Sequence, residues 1–326
     1  MNQDVFEKYS VPKAVLTLAL PTVLSMLVTV LYNMADTYFV GQTHDSNQVA
    51  AVSLATPVFL LFMACGILFG SGGSSYISRS LGSGHKDRVK KISSFCFYAG
   101  IFAGIILMIF FFVGMPWILK IIGADTDTEG YARDYLTYIA IGGAFIVISN
   151  SFGNIVRGEG AAKVAMFGMM LGTIVNVVLD PIMILALDMG VAGAAIATVI
   201  GNLSSVIFYI VYLNGKNTML SIRLKDFSIR DGIIPNVVGV GLPASLNNLL
   251  MSVANIILNK YLVSYGNVPV AAMGVASKAN MLAVFLQLGI GMGIQPLVGY
   301  SFGAKNYERM KKIMHFAMIC TTVIGV

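Results

Sequence analysis

The sequence predicts an all-α polytopic membrane protein, and three observations carry that prediction. Hydrophobic residues make up 57% of the 326 residues and charged residues only 11%, whereas a soluble domain has about 25% charged residues. The mean hydropathy is +0.81. Apolar runs such as 101–113 are continuous rather than alternating, which excludes the strands of a membrane β-barrel. This composition also excludes most classes of soluble enzyme.

Nine apolar segments are predicted to be membrane helices, because a helix needs about 20 apolar residues to cross a bilayer. They lie at 15–40, 49–78, 92–118, 135–156, 164–187, 191–213, 233–259, 270–300 and 313–326. The first eight have full length. The last fourteen residues reach only about 21 Å, short of the roughly 30 Å hydrocarbon core. We therefore expect a C-terminally truncated chain whose complete form has about twelve spans.

The basic residues set the orientation of these spans. Counted by alternate loops, 17 basic residues lie on the side of the N-terminus and 3 on the opposite side. The positive-inside rule then places the N-terminus in the cytoplasm. The net charge of +6 is thus explained by topology, and no nucleic-acid partner is expected.

An internal repeat divides the chain. Residues 49–51 recur at 270–272, and the polar stretch 82–92 recurs at 303–313, both 221 residues later. Each repeat unit contains six spans, an even number, so the chain returns to its starting side after the first copy. Both copies therefore enter the membrane from the same side, as parallel repeats. We expect an N-terminal six-helix lobe at 1–213, a cytoplasmic linker at 214–232, and an incomplete second lobe at 233–326.

Two acids lie inside predicted spans, where each ionised carboxylate costs roughly 2.5–3.5 kcal/mol on insertion scales. Asn33 precedes Asp36 by three residues, and Asn176 precedes Asp180 by four, so each amide shares a helix face with its acid. Such a pair suits the binding and release of a proton or a cation. A purely structural role stays open for each acid. Asp36 lies near the end of its span and could reach the lipid headgroups, and Asp180 could satisfy backbone groups freed by a kink at Pro181.

Other chemistry finds little support in the sequence. Cys65, Cys96 and Cys320 are odd in number and imply no disulfide framework. The three histidines show no metal-binding spacing, and the sequence has no P-loop, HExxH or nucleophile elbow. We expect no enzymatic activity, no cofactor and no structural metal. In the second half, Lys278 lies within a span and its role is open.

The chain resembles the multidrug and toxic compound extrusion family. The resemblance rests on Leu20-Pro21 and on the stretches 36–41 (DTYFVG), 176–181 (NVVLDP), 193–198 (GAAIAT), 295–296 (QP) and 299–304 (GYSFGA). It covers the chain from about residue 10 to its end. Members of that family are ion-coupled antiporters with two six-helix lobes.

The resemblance implies that Asp36, Asn176, Asp180 and Thr198 form an ion-linked network in the first lobe. It adds a tyrosine of the fourth span, Tyr138 in preference to Tyr135. The implied site list is Asp36, Asp180, Asn176, Thr198, Tyr138 and Asn33, with hinges at Pro21 and Pro181. Both carboxylates are expected in one cavity within about 12 Å of each other, and Na⁺ is an alternative to a proton there.

The implied function is export of organic, cationic or amphiphilic small molecules in exchange for H⁺ or Na⁺ by alternating access. The protein is expected to be a monomer in a bacterial plasma membrane, with the lipid bilayer as its surroundings. Two alternatives remain. A lipid-linked oligosaccharide flippase needs basic residues in its cavity, for which Lys278 is the clear intramembrane candidate. A non-transporting scaffold would have no need of two buried acids.

Overall fold

The computed structural model describes residues 4–42, 45–215, 217–263 and 267–325. Some side chains within these helices, including those of Asn33, Asp36, Lys260 and Lys278, lie outside the described part.

Eleven α-helices follow one another in the described ranges. They are α1 Asp4–Glu7, α2 Val11–Gly41, α3 Ser46–Gly82, α4 Lys86–Ile121, α5 Glu129–Ile141, α6 Gly143–Gly158, α7 Ala162–Asp180, α8 Gly190–Leu213, α9 Ile233–Val263, α10 Asn267–Gly303 and α11 Tyr307–Gly325. Seven helical stretches of the described residues are long and apolar enough to cross a membrane, and α5 with α6 makes an eighth. The predicted fold class, an all-α polytopic membrane protein, is confirmed.

The fourth predicted span is a bent pair of helices rather than one helix at 135–156. The axes of α5 and α6 differ by 56°, and the break falls at Gly142 and Gly143. A Cβ on Gly142 would meet the side chain of Val199, and one on Gly143 would meet the ring of Phe62. Two adjacent glycines weaken the helix and let α3 and α8 approach the break closely.

The fifth predicted span, 164–187, is also interrupted. Its α-helical part ends at Asp180, and Pro181–Ala186 form a π-helical turn. Proline has no N–H to donate to the carbonyl four residues earlier, and π-turns are frequent at functional sites. Asp180 therefore lies at the last residue of a regular helix, directly before a change of helical geometry.

The two halves of the repeat contact each other through close helix approaches. A Cβ on Gly72 or Gly241 would collide with backbone of the facing helix, at Val237 and Leu68 respectively. These contacts join α3 to α9. The α2–α10 pair is also close, since a Cβ on Gly293 would lie 2.5 Å from Ala19 Cα. Small residues allow such backbone approach between membrane helices.

The segment between α8 and α9 is fastened to the first half. Ser93 Oγ donates to Ser221 O at 2.9 Å and accepts from Ser221 N at 2.9 Å. Tyr98 donates its hydroxyl to Ile222 O at 2.9 Å, and Lys91 forms an ion pair with Asp231 at 2.8 Å. This segment therefore packs against the start of α4.

A buried acid, Glu159, completes this attachment. It follows the end of α6 and is fully buried. Its carboxylate accepts hydrogen bonds from the Tyr212 hydroxyl at 2.7 Å, the Thr218 hydroxyl at 2.9 Å and Met219 N at 3.2 Å. Burial raises the pKa of the Glu159 carboxyl above its ordinary value, against the opposing effect of these hydrogen bonds.

Glu159→Ala is expected to destabilise the protein by about 2–4 kcal/mol, because it leaves three partly buried donors without their acceptor. Thermal unfolding in detergent measures the change. The control is Glu129→Ala, which removes an exposed ion pair with Arg133 and should cost less than about 1 kcal/mol. Equal losses in the two variants would contradict this assignment.

Candidate functional site

The candidate site lies between α7 and α8, which small residues hold in direct contact. A Cβ on Gly201 of α8 would lie 2.6 Å from Gly172 O and 3.0 Å from Asn176 Cβ of α7. Two buried hydroxyls then fix the register of the helices. Ser205 Oγ donates to Gly168 O at 2.9 Å, and the Tyr209 hydroxyl donates to Ala165 O at 3.0 Å.

Three polar side chains meet in this contact. Asn176 Nδ2 donates to Asp180 Oδ1 and to Thr198 Oγ1, each at 3.4 Å. Asp180, Asn176 and Thr198 are 0%, 3% and 5% exposed. The amide thus joins an acid on its own helix to a hydroxyl on the neighbouring helix. The structure brings together three of the residues that the resemblance implies.

The donor set of this site is made of oxygen atoms. It consists of a carboxylate, a hydroxyl and the amide Oδ1 of Asn176, which has no hydrogen-bond partner among the described residues. A buried ionised carboxylate is costly unless a proton or cation neutralises it, and hard cations prefer oxygen ligands. Within the described part of the chain, no cluster of three His, Cys, Asp or Glu side chains could hold a metal ion.

The side chains of Asp36 and Asn33 lie outside the described residues, so the expected 12 Å approach of the two carboxylates stays a prediction. Their helix nevertheless runs beside the site. Thr29 Oγ1, seven residues before Asp36, donates to Met169 Sδ of α7 at 3.6 Å. This contact places α2 against α7.

The two candidate tyrosines of the fourth span lie in different surroundings. Tyr138 is 36% exposed on α5, and its part in the site stays a prediction. Tyr135, the second choice, packs against the buried Ile184 and Ala194. These two residues lie on the π-turn that follows Asp180 and on the first turns of α8.

The two predicted hinges have different local structures. Pro21 lies inside α2, which continues through it, and Ser25 Oγ donates to the carbonyl of Pro21 at 2.9 Å. Pro181 opens the π-turn after α7. Both positions lack a backbone donor, and movement about either of them stays a prediction.

A polar cleft of about 440 Å³ opens one turn beyond Asp180. Its lining includes Ile184, Gln48, Tyr131, Asp134 and Asp188. Gln48 Oε1 accepts from Val191 N at 3.2 Å and so caps the start of α8. Sequence reasoning missed Gln48 and Asp134. Their positions in the sequence could have indicated them, since each residue lies directly before a predicted span.

Gly201→Ala is expected to force α7 and α8 apart at Asn176, because the nearest obstacle is backbone rather than a mobile side chain. The expected loss is about 1–3 kcal/mol of stability, as for other overpacked interfaces. The matched control is Gly239→Ala, where no atom lies within 4 Å of the new Cβ; it should gain roughly 0.5–1 kcal/mol. Thermal unfolding compares them, and a loss of the same size in both variants would refute the steric account.

The chain is similar to known multidrug export proteins. The family model MatE matches residues 21–182 and 243–326. The multidrug export protein MepA of Staphylococcus saprophyticus is 32% identical over 319 residues, which are 98% of this chain and 70% of that protein. MepA of Staphylococcus aureus strain NCTC 8325 is 33% identical over 321 residues, 98% of this chain and 71% of that protein.

A solved structure shows the same fold. It is described as the outward-facing conformation of a multidrug resistance MATE family transporter, and it matches with a TM-score of 0.94 at 31% identity. The match covers 99% of this chain and 72% of that one. The ranges matched by the family model contain Asn176 and Asp180, whereas Thr198 lies between them.

Proposed function

We propose that this chain, which belongs to the MatE family of multidrug efflux transporters, exports organic cationic or amphiphilic compounds in exchange for H⁺ or Na⁺. The observation that carries the proposal is the buried Asp180, hydrogen-bonded through Asn176 to Thr198 between two membrane helices. A buried acid within the membrane is energetically unfavourable, and ion coupling accounts for its presence here. The relatives named multidrug export proteins support the class of substrate.

The coupling step follows from the charge of the site. When the site faces outward, H⁺ or Na⁺ binds at the Asp180 carboxylate and cancels its buried charge. The neutral site no longer favours a cationic substrate, and the substrate leaves. Because the inward-facing and outward-facing states differ in their affinity for ion and substrate, this exchange shifts the alternating-access equilibrium. Pro21 and the π-turn at Pro181 are the proposed points of helix movement.

The contacts between the halves support an outward-facing state. With the N-terminus in the cytoplasm, as the charge distribution favours, the close approaches at Gly72, Gly241 and Gly293 lie in the cytoplasmic half of the membrane. The polar cleft beyond Asp180 lies at the opposite end. In this orientation the described contacts close the inner side.

The direct test is dye transport by the purified protein, in the complete form of about twelve spans expected above, in liposomes under an imposed H⁺ or Na⁺ gradient. A fluorescent organic cation should move against its own gradient under one of the two, and an ionophore that collapses the gradient should stop it. Transport that ignores both gradients would overturn the proposal. Movement of a lipid-linked oligosaccharide instead of the dye would favour a flippase, and the absence of any transport would favour a scaffold.

A further inference from the structure

In the short segment before the first membrane helix, 4–10, two apolar side chains are packed into the protein. Val5 and Phe6, both on α1, are each only 1% exposed. They belong to an apolar cluster that also contains Ala162 of α7 and Leu297 of α10. A segment of four helical residues ahead of a membrane span therefore touches both halves of the repeat.

On the first half, Phe6 occupies a space that glycine creates. Gly160 lies in the turn between α6 and α7 with φ +88°, a conformation that side chains other than glycine rarely adopt. A Cβ on Gly160 would lie 2.6 Å from Cε2 of the Phe6 ring. The ring thus lies directly on the backbone of this turn.

On the second half, the same segment makes three contacts. The Phe6 ring stacks on the Tyr300 ring, with centroids 4.6 Å apart and planes 19° apart. The Tyr300 hydroxyl donates to Glu7 Oε1 at 2.6 Å. Arg309 of α11 donates through Nη2 to Tyr9 O at 2.8 Å. An aromatic stack and two charge-assisted hydrogen bonds hold residues 4–10 to α10 and α11.

We infer that residues 4–10, here called the N-terminal latch, lock the cytoplasmic ends of the two halves together in the outward-facing state. The inference rests on the proposed alternating-access function, in which these ends separate when the inner side opens. Phe6 lies between Gly160 and Tyr300, so it can follow only one of them after they separate. The latch contacts therefore stabilise one state and are lost in the other, which is what a conformational lock requires.

The latch predicts a measurable shift in conformation. Removing the Phe6 ring deletes a buried aromatic contact from the closed inner side alone. We expect Phe6→Ala to raise the ratio of inward-open to inward-closed protein about tenfold. Tyr300→Phe keeps the stack and removes the hydrogen bond to Glu7, and it should raise the same ratio about threefold to tenfold.

Spin-label distances in lipid nanodiscs measure this ratio. The labels are placed at Asp87→Cys and Glu308→Cys, two exposed positions that correspond in the repeat and lie near the cytoplasmic starts of α4 and α11. The native cysteines at 65, 96 and 320 are first replaced. The control is Phe102→Ala, which makes the same change at a side chain 67% exposed on α4, and it should leave the distances unchanged.

A larger population of long distances in Phe6→Ala and Tyr300→Phe, without a change in Phe102→Ala, is the expected result. Distances that match the unmodified protein in both latch variants would overturn the inference. If Phe6→Ala does not fold, Tyr300→Phe alone decides, since it removes one hydroxyl and keeps the packing. The labels report conformation without transport, so the latch can fail while ion-driven export holds, and export can fail while the latch holds.

Discussion

Asp180→Asn is expected to lower the initial rate of gradient-driven export at least about tenfold, because an amide neither takes up a proton nor presents a negative charge to Na⁺. The substituted side chain has nearly the same size. Its amide oxygen can still accept from Asn176 Nδ2, as Asp180 Oδ1 does at 3.4 Å. Folding should therefore be largely retained, whereas coupling is lost and the cationic substrate is bound less tightly.

The matched control is Asp127→Asn. Asp127 is exposed in the loop between α4 and α5 and is not part of the lining of the polar cleft. This control should export dye at the unmodified rate. Both variants are measured in the same liposome assay, with protein amounts matched. Export by Asp180→Asn at the unmodified rate would refute its coupling role.

Gly303→Ala is expected to reduce export at least about tenfold by obstructing closure of the cytoplasmic side. A Cβ at Gly303 would collide with the backbone carbonyl of Arg79, and one at Gly82 would collide with that of Tyr300. Neither obstacle is a side chain that can turn away. The helices would have to separate, so closure of the cytoplasmic side should become unfavourable, while the dye should still bind from that side.

The control for this substitution is on the same helix. Gly291→Ala adds the same methyl group to α10, where no atom lies within 4 Å. It should leave export unchanged. Export is measured as dye transport, and closure as the distance between labels at positions 87 and 308. A closed distance together with full export in Gly303→Ala would show that this contact is not required.

The membrane fold could be predicted from the sequence because its main determinant is local. Each spanning helix must be apolar over about 20 residues, and this pattern placed every predicted span on an observed helix or helix pair. Asn176 and Asp180 were paired by their spacing of four residues, which any helix brings to one face. The contact of Asn176 with Thr198 was implied only by the family resemblance, since spacing carries no information between helices.

The remaining features depend on packing and could not be predicted in the same way. The break at Gly142 and the π-turn at Pro181 change backbone hydrogen bonding without a change in hydropathy. The repeat identified Gly82 and Gly303 as equivalent positions. It did not indicate that each meets the backbone of the other half. The burial of Phe6 was missed because a short segment with several charges resembles a solvated terminus.

The most direct test of the central claim is to run the exchange in reverse. Protein in liposomes is given a gradient of the organic cation and no ion gradient, and an internal indicator records the movement of H⁺ or Na⁺. If Asp180 couples the two fluxes, cation transport should drive one of these ions in the opposite direction, and Asp180→Asn should abolish that ion movement while Asp127→Asn retains it. Cation transport without opposing ion movement, or unchanged exchange in Asp180→Asn, would contradict the account.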